Sequence, residues 1–181
     1  MIEPVEDKQI VEAVLSGDTR QYAVIVERYQ QIVANLTYKL CGTRLEIEEV
    51  TQQVFVELYI ALPRFRFDSK LSSYIYRITV NVVSKMLKKA KRFVSTDEYE
   101  DYPEQQSDDR NAQQQIIHNE QMEQLRAAIG RLKDEQRTAL VLYTFENFSY
   151  QDIADVMQCS LSKVESLIFR AKKNLAKEIK Q

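Results

Sequence analysis

The amino-acid sequence predicts an all-α protein built from two small helical domains joined by a flexible acidic linker. Three observations lead there. Apolar residues recur at helical rather than alternating spacing almost throughout. Only 3 Gly and 3 Pro punctuate the 181 residues. Charge is also segregated: residues 1–94 hold 14 basic against 11 acidic residues (+3), residues 95–124 hold 1 against 9 (−8), and residues 125–181 hold 10 against 7 (+3). Two mildly basic segments around a strongly acidic one suit two nucleic-acid-binding domains with a linker, a pattern that the formal net charge of −2 conceals.

The first helix is expected from Asp7 to Leu15, with Ile10, Val11, Val14 and Leu15 inward, and it stops at Ser16-Gly17. Asp18 or Thr19 caps a long second helix, Arg20 to Cys41, and Gly42 stands where a helix ends. Tyr22, Ile25, Val26, Tyr29, Val33, Leu36 and Leu40 form its apolar face. The third helix, Leu45 to Leu62, ends at Pro63, and Ile47, Val50, Val54, Leu58 and Leu62 make one apolar stripe along it. Val56, Tyr59 and Ile60 are apolar too but lie off that stripe, beside Glu48, Glu49, Gln52 and Gln53. A helix packed on one side has no use for a second apolar face. Either it is sandwiched inside its own domain or it offers a mixed apolar and acidic surface to a partner.

After the turn at Arg64–Asp68, no acidic residue occurs from Ser69 to Thr96, whereas Lys70, Arg77, Lys85, Lys88, Lys89, Lys91 and Arg92 are all basic. Tyr74 and Tyr76 stand near the start of this stretch. Aromatics among basic residues suit a surface that tracks a phosphate backbone and stacks on unpaired bases. The plainer reading is a solvated basic helix whose tyrosines belong to the core. Seven positive charges without one negative favour nucleic acid.

Residues 95–115 are polar, acidic and poor in aliphatic side chains, so they cannot bury enough apolar area to fold alone and read as the linker. The second domain, 116–181, opens with a helix carrying Met122, Leu125, Ala128, Ile129 and Leu132. Asp134 is expected to cap the next helix, with Ala139, Leu140, Leu142, Tyr143 and Phe145 inward. The stretch Ser149 to Lys173 then reads as two short helices around a tight turn at Gln158-Cys159-Ser160. Ser149 and Asp152 have the spacing of a capping box, and Ser160 caps the second helix. In that helix Val164, Leu167, Ile168, Ala171 and Leu175 face the core, while Ser162, Lys163, Ser166, Arg170 and Lys173 face away. This is a helix-turn-helix whose second helix suits a DNA major groove, set against an ordinary αα-hairpin with a solvated face.

Several classes are excluded or demoted. Cys41 and Cys159 stand alone, and with the single His118 they lack metal-ligand spacing, so neither a metal nor another cofactor is expected. Neither a Ser-His-Asp or Cys-His arrangement nor a glycine-rich phosphate loop is visible, which argues against an enzyme. Apolar runs fall short of the ~20 residues of a membrane span, and the acidic start MIEPVEDKQI is unlike a signal peptide. A cytoplasmic protein without membrane insertion is expected.

The order of parts resembles an extracytoplasmic-function sigma factor of bacterial RNA polymerase, over nearly the whole chain. Ala128-Ile129-Gly130-Arg131-Leu132, Glu135-Gln136-Arg137, Phe148 to Ala154, Cys159 to Val164 and Phe169 to Lys173 follow the family's region 4. Glu48 to Phe55 is similar to region 2.2, and Leu71 to Ile78 with Asn81 to regions 2.3 and 2.4. The resemblance implies that residues 1–94 are region 2 and 116–181 region 4. It implies that Glu48, Glu49, Gln52, Gln53 and Val56 dock on the clamp helices of the polymerase's largest subunit. Tyr74, Arg77, Asn81, Lys85, Lys88 and Lys89 would meet the −10 element and hold its non-template strand open. Ser160, Ser162, Lys163, Ser166, Arg170 and Lys173 would read the −35 element. An anti-sigma factor is the further partner it implies.

The sequence departs from the family at several of these positions. Tyr74 stands where Trp is frequent, Ser84 where an acidic residue is, Glu165 where Lys is common and Leu167 where Arg is common. A carboxylate at Glu165 repels phosphates, or accepts from a cytosine amino group if it faces bases. Two other classes stay open: a helix-turn-helix regulator that binds duplex without polymerase, and a mimic that occupies polymerase without opening promoters.

Overall fold

The computed structural model describes residues 4–42, 45–93, 125 and 127–178, and every regular element among them is helical. They are α1 (Pro4–Leu15), α2 (Arg20–Cys41), α3 (Ile47–Ala61) with a 3-10 turn at Leu62–Arg64, α4 (Leu71–Phe93), α5 (Asp134–Thr144), α6 (Tyr150–Met157) and α7 (Leu161–Glu178). Backbone at 127–131 is helical as well. Two compact units result, one built around α1 to α4 and the other around α5 and α7. The acidic segment 95–115, Met122 and His118 lie outside the described residues.

Local chemistry sets most helix ends. Pro4 opens α1 three residues before the expected start, at a position where its missing N–H costs nothing. The helix closes where Ser16 Oγ donates to Ala13 O at 2.9 Å and Gly17 takes φ +108°. Of the two expected caps for α2, Asp18 is the one that acts: its Oδ1 accepts from Arg20 N–H at 3.2 Å, while Thr19 makes no side-chain cap. Gly42, at φ +56°, sends its N–H back to Tyr38 O and ends α2. Pro63 tightens the end of α3 into the 3-10 turn.

In the first unit α2 packs against α1, α3 and α4, and α3 packs against α4. Val11, Val33, Val54 and Leu58 have no exposed surface, and Ile25, Leu36 and Ile75 scarcely any. At roughly 1.5–3 kcal/mol per fully buried aliphatic side chain, this shared core outweighs helix propensity in holding the helices. Leu15 departs from expectation: it is exposed at the end of α1. A polar latch also joins α1 to α2, with Tyr29 OH donating to Asp7 Oδ2 at 2.6 Å and Arg28 to Asp7 Oδ1 at 2.8 Å.

In the second unit α5 packs along α7, and Ile129, Leu132, Leu140 and Ala171 share a core that Leu125 and Leu175 flank. Lys133, not Asp134, is the N-cap of α5; Asp134 is its first residue and its carboxylate holds buried Arg137. Tyr143 and Phe145 do not turn inward as expected but lie at the exposed end of α5, 37% and 41% exposed. Val141 takes the buried place instead. Ala139, Leu140 and Leu142 are buried as their spacing demands.

Candidate polymerase and nucleic-acid interfaces

The ambiguity over the third helix is resolved by exposure. Val50, Val54 and Leu58 are fully buried, whereas Val56, Tyr59 and Ile60 are 53%, 45% and 66% exposed. Glu48, Glu49, Gln52 and Gln53 are exposed on the same helix. Their spacing of three and four residues groups them with Val56 and Ile60 on one face. Tyr59 is steadied from behind, its ring meeting that of Tyr22 edge-on at 5.0 Å, while Tyr22 OH donates to Phe55 O. Burial raises the Tyr22 phenol well above its ordinary pKa, so the donor stays protonated. The face is apolar at one end, acidic at the other, and uncovered within its unit.

On α4, Ile75, Thr79, Val82, Val83 and Leu87 are buried, and Thr79 satisfies its hydroxyl on Ile75 O. Asn81, Lys85, Lys88 and Lys89 are exposed at helical spacing, with Arg77 half-buried one turn earlier. Lys85 Nζ donates to both oxygens of Glu57 on α3, at 3.3 and 3.2 Å. Tyr74 requires a correction. Expected as a stacking surface, it is only 9% exposed; its ring lies 4.8 Å from that of Phe65, and its hydroxyl donates to Ala61 O at 3.2 Å. The Arg77 guanidinium covers it, 4.8 Å from the ring centroid. A tyrosine at the start of α4 serves the packing of the loop before it.

The helix-turn-helix forms by mutual capping. Ser149 Oγ accepts from Asp152 N–H at 3.1 Å while Asp152 Oδ2 accepts from Ser149 N–H at 3.1 Å, so aspartate closes the box usually closed by glutamate. Without a glycine in the turn, Gln158 itself adopts φ +52°, and Cys159 N–H donates to Ala154 O at 3.0 Å. Ser160 Oγ accepts from Lys163 N–H at 3.3 Å and sits 3.2 Å from Ser162 Oγ. Val164, Leu167, Ile168 and Ala171 are buried, so Leu167 is committed to the core. Ser160, Ser162, Lys163, Ser166, Arg170 and Lys173 are exposed, as is Glu165. Lys163 Nζ donates to Glu135 Oε1 of α5 at 2.9 Å.

Sequence reasoning missed Phe169, 68% exposed on the outer face of α7, and the carboxylates Glu57 and Glu135. Phe169 was findable, because it falls between Ser166 and Arg170 on the face already read as outward. Among the described residues no group of His, Cys, Asp or Glu is gathered to hold a metal ion, and no helix is long and apolar enough to cross a membrane.

Comparison with known proteins places this arrangement. Residues 25–93 match the family model for Sigma-70 region 2, and residues 122–175 that for Sigma-70, region 4. The RNA polymerase sigma-H factor of Pseudomonas aeruginosa is 31% identical, over 99% of this chain and 96% of its own. The chain belongs to the sigma-70 family of RNA polymerase sigma factors. ECF RNA polymerase sigma-E factors of Escherichia coli K12 and Haemophilus influenzae are each 30% identical over 99% of this chain, covering 97% and 98% of their own lengths. The fold agrees with CnrH, solved in complex with the cytosolic domain of CnrY (TM-score 0.67, 20% identity, 96% of this chain and 97% of that one). It also agrees with the sigma factor RpoE of Bartonella quintana, solved with the anti-sigma factor NepR (TM-score 0.68, 18% identity, 89% and 98%). This sigma factor directs RNA polymerase to promoters.

Proposed function

We propose that this sigma factor docks on core polymerase through α3, opens the −10 element with α4 and reads the −35 element with α7. The division of labour is region 2 over 1–94, an acidic linker over 95–115 and region 4 over 116–181. Support for the docking surface comes from one observation above all. Among the described residues of the first unit, Leu15 and Val24 are exposed singly, whereas α3 leaves Val56, Tyr59 and Ile60 exposed together beside Glu48, Glu49, Gln52 and Gln53. Such a surface fits the clamp helices of the polymerase's largest subunit, with apolar contact at its C-terminal end and carboxylates at its N-terminal end.

For the −10 element, Asn81, Lys85, Lys88 and Lys89 follow the non-template strand, with Arg77 at the start of the row. Tyr74 supports that row from beneath. Ser160, Ser162, Lys163, Ser166, Arg170 and Lys173 face the −35 duplex, serines and the N-terminal lysine toward bases, Arg170 and Lys173 toward phosphates. The protein works in the cytoplasm, performs no covalent chemistry of its own, and is held inactive by an anti-sigma factor. The complex of the similarly folded RpoE with NepR supports that last point.

Run-off transcription with purified core polymerase, on fragments of the genome that encodes the protein, tests the proposal. Discrete new starts that vanish with Asn81→Ala or Lys88→Glu are expected. Polymerase binding with no new transcripts would instead mark a mimic. Duplex binding without polymerase binding would mark a plain regulator.

A further inference from the structure

Lys163 enters the DNA-facing surface already engaged. Its ammonium donates to Glu135 Oε1 at 2.9 Å, joining the first turn of α7 to the first turn of α5. Both ends are well anchored. Lys163 N–H donates to Ser160 O at 3.0 Å and to Ser160 Oγ at 3.3 Å, while the residues after Glu135, Gln136 and Arg137, are buried in the second unit. The side chains themselves are in water, 46% and 62% exposed. An exposed pair of this kind adds little to stability. Its effect must be sought in what the lysine is then able to bind. Hydrogen bonding to the Glu135 carboxylate raises the lysine's pKa, so the ammonium stays charged beside it.

A free lysine on a flexible four-carbon stem follows phosphates anywhere along a duplex, which strengthens binding to every sequence alike. Held by Glu135, Lys163 keeps two of its three donors for another acceptor. A phosphate approaching them meets the carboxylate's repulsion, whereas a neutral acceptor such as guanine O6 or N7 does not. Lys163 is the third residue of α7, within the N-terminal part of a recognition helix that meets base edges. We infer that Glu135 is a specificity-determining positioning residue, which withholds Lys163 from phosphates and directs it to a base edge of the −35 element. The inference rests on the reading of α7 as the recognition helix.

The test uses the full-length protein on core polymerase and a pool of duplexes randomised over the −35 position, at several salt concentrations. With Glu135→Gln, affinity for the unselected pool is expected to rise roughly two- to fivefold, the span of an exposed ion pair. The slope of log affinity against log salt should steepen by about 0.9, one added phosphate contact. Preference at one base position should fade in the selected pool while the others persist. Glu135→Asp should keep most of that preference, and Glu135→Gln should add nothing in a Lys163→Gln background. Equal strengthening on selected and unselected duplexes, or an unchanged salt slope, would overturn the role of Glu135. Lys163→Gln separates the two readings: if it leaves duplex binding untouched, the placement of Lys163 against DNA fails. If it weakens binding while Glu135→Gln is silent, only the positioning role falls.

Discussion

The Arg137 guanidinium, on a side chain 1% exposed, donates to Asp134 Oδ1 at 2.7 Å within the first turn of α5. Its other terminal nitrogen reaches Gly130 O and Leu132 O at 3.2 and 3.4 Å, so one cation ties α5 to the chain that precedes it. Removing the carboxylate takes one counter-charge from a buried cation. Because Asp134 is 29% exposed, water softens the loss. Asp134→Ala is expected to cost about 2 kcal/mol, between the limits for exposed and buried pairs, read as a lower urea midpoint for the second unit. Asp134→Asn, which keeps an acceptor, should cost less.

The placement of Tyr74 separates packing from base stacking. Tyr74→Phe keeps the ring against Phe65 and loses only the hydroxyl's bond to Ala61 O, so a stability loss of about 1 kcal/mol is expected. Promoter melting by the holoenzyme, followed by permanganate reactivity of unpaired thymines, should stay within about twofold, since 1 kcal/mol of fold stability leaves the folded population nearly unchanged. Tyr74→Ala, by contrast, should cost about 3 kcal/mol or more through the cavity it leaves.

Ile60 offers a cleaner separation of stability from binding. At 66% exposure it contributes little to the core. Ile60→Glu should therefore leave the thermal midpoint of the free protein almost unmoved, within about 0.5 kcal/mol. Affinity for core polymerase should drop at least about tenfold if α3 supplies the centre of that interface. Unchanged affinity, measured by competition with a labelled wild-type protein, would remove Ile60 from the contact surface.

Gln158 holds a left-handed conformation at φ +52° to close the turn between α6 and α7. A side chain in that region is disfavoured by roughly 1–2 kcal/mol, and glycine is not. Gln158→Gly, despite its looser unfolded chain, should raise stability by about 0.5–1 kcal/mol, measured as a higher urea midpoint. The exposed residues of α7 are untouched, so −35 binding should not change.

Much of the candidate site is legible in the amino-acid pattern. The bounds of α2 follow directly from Asp18 and Gly42, because caps and left-handed stops act within a few residues. The capping box of Ser149 and Asp152 is equally local. The outward row Ser162, Lys163, Ser166, Arg170 and Lys173 follows from helical period alone, since four buried residues on the opposite side leave it no other place. Tyr143, Phe145 and Tyr74 escape such reasoning for a common reason. Period assigns a residue to a face, but whether that face is covered depends on which distant segment arrives.

Spacing and composition were enough to settle the helical class, the order of the elements and the charge segregation, and the resemblance of the motifs pointed to the family that the comparisons show. Those properties act along the chain and need no distant partner. The tertiary structure decided which apolar residues stay open, Val56, Ile60 and Phe169 rather than Tyr74, and which cations are already paired, Lys85 with Glu57 and Lys163 with Glu135. Each of those pairs joins residues 28 positions apart, and burial is likewise a relation between helices remote in sequence, so neither is written in the local pattern.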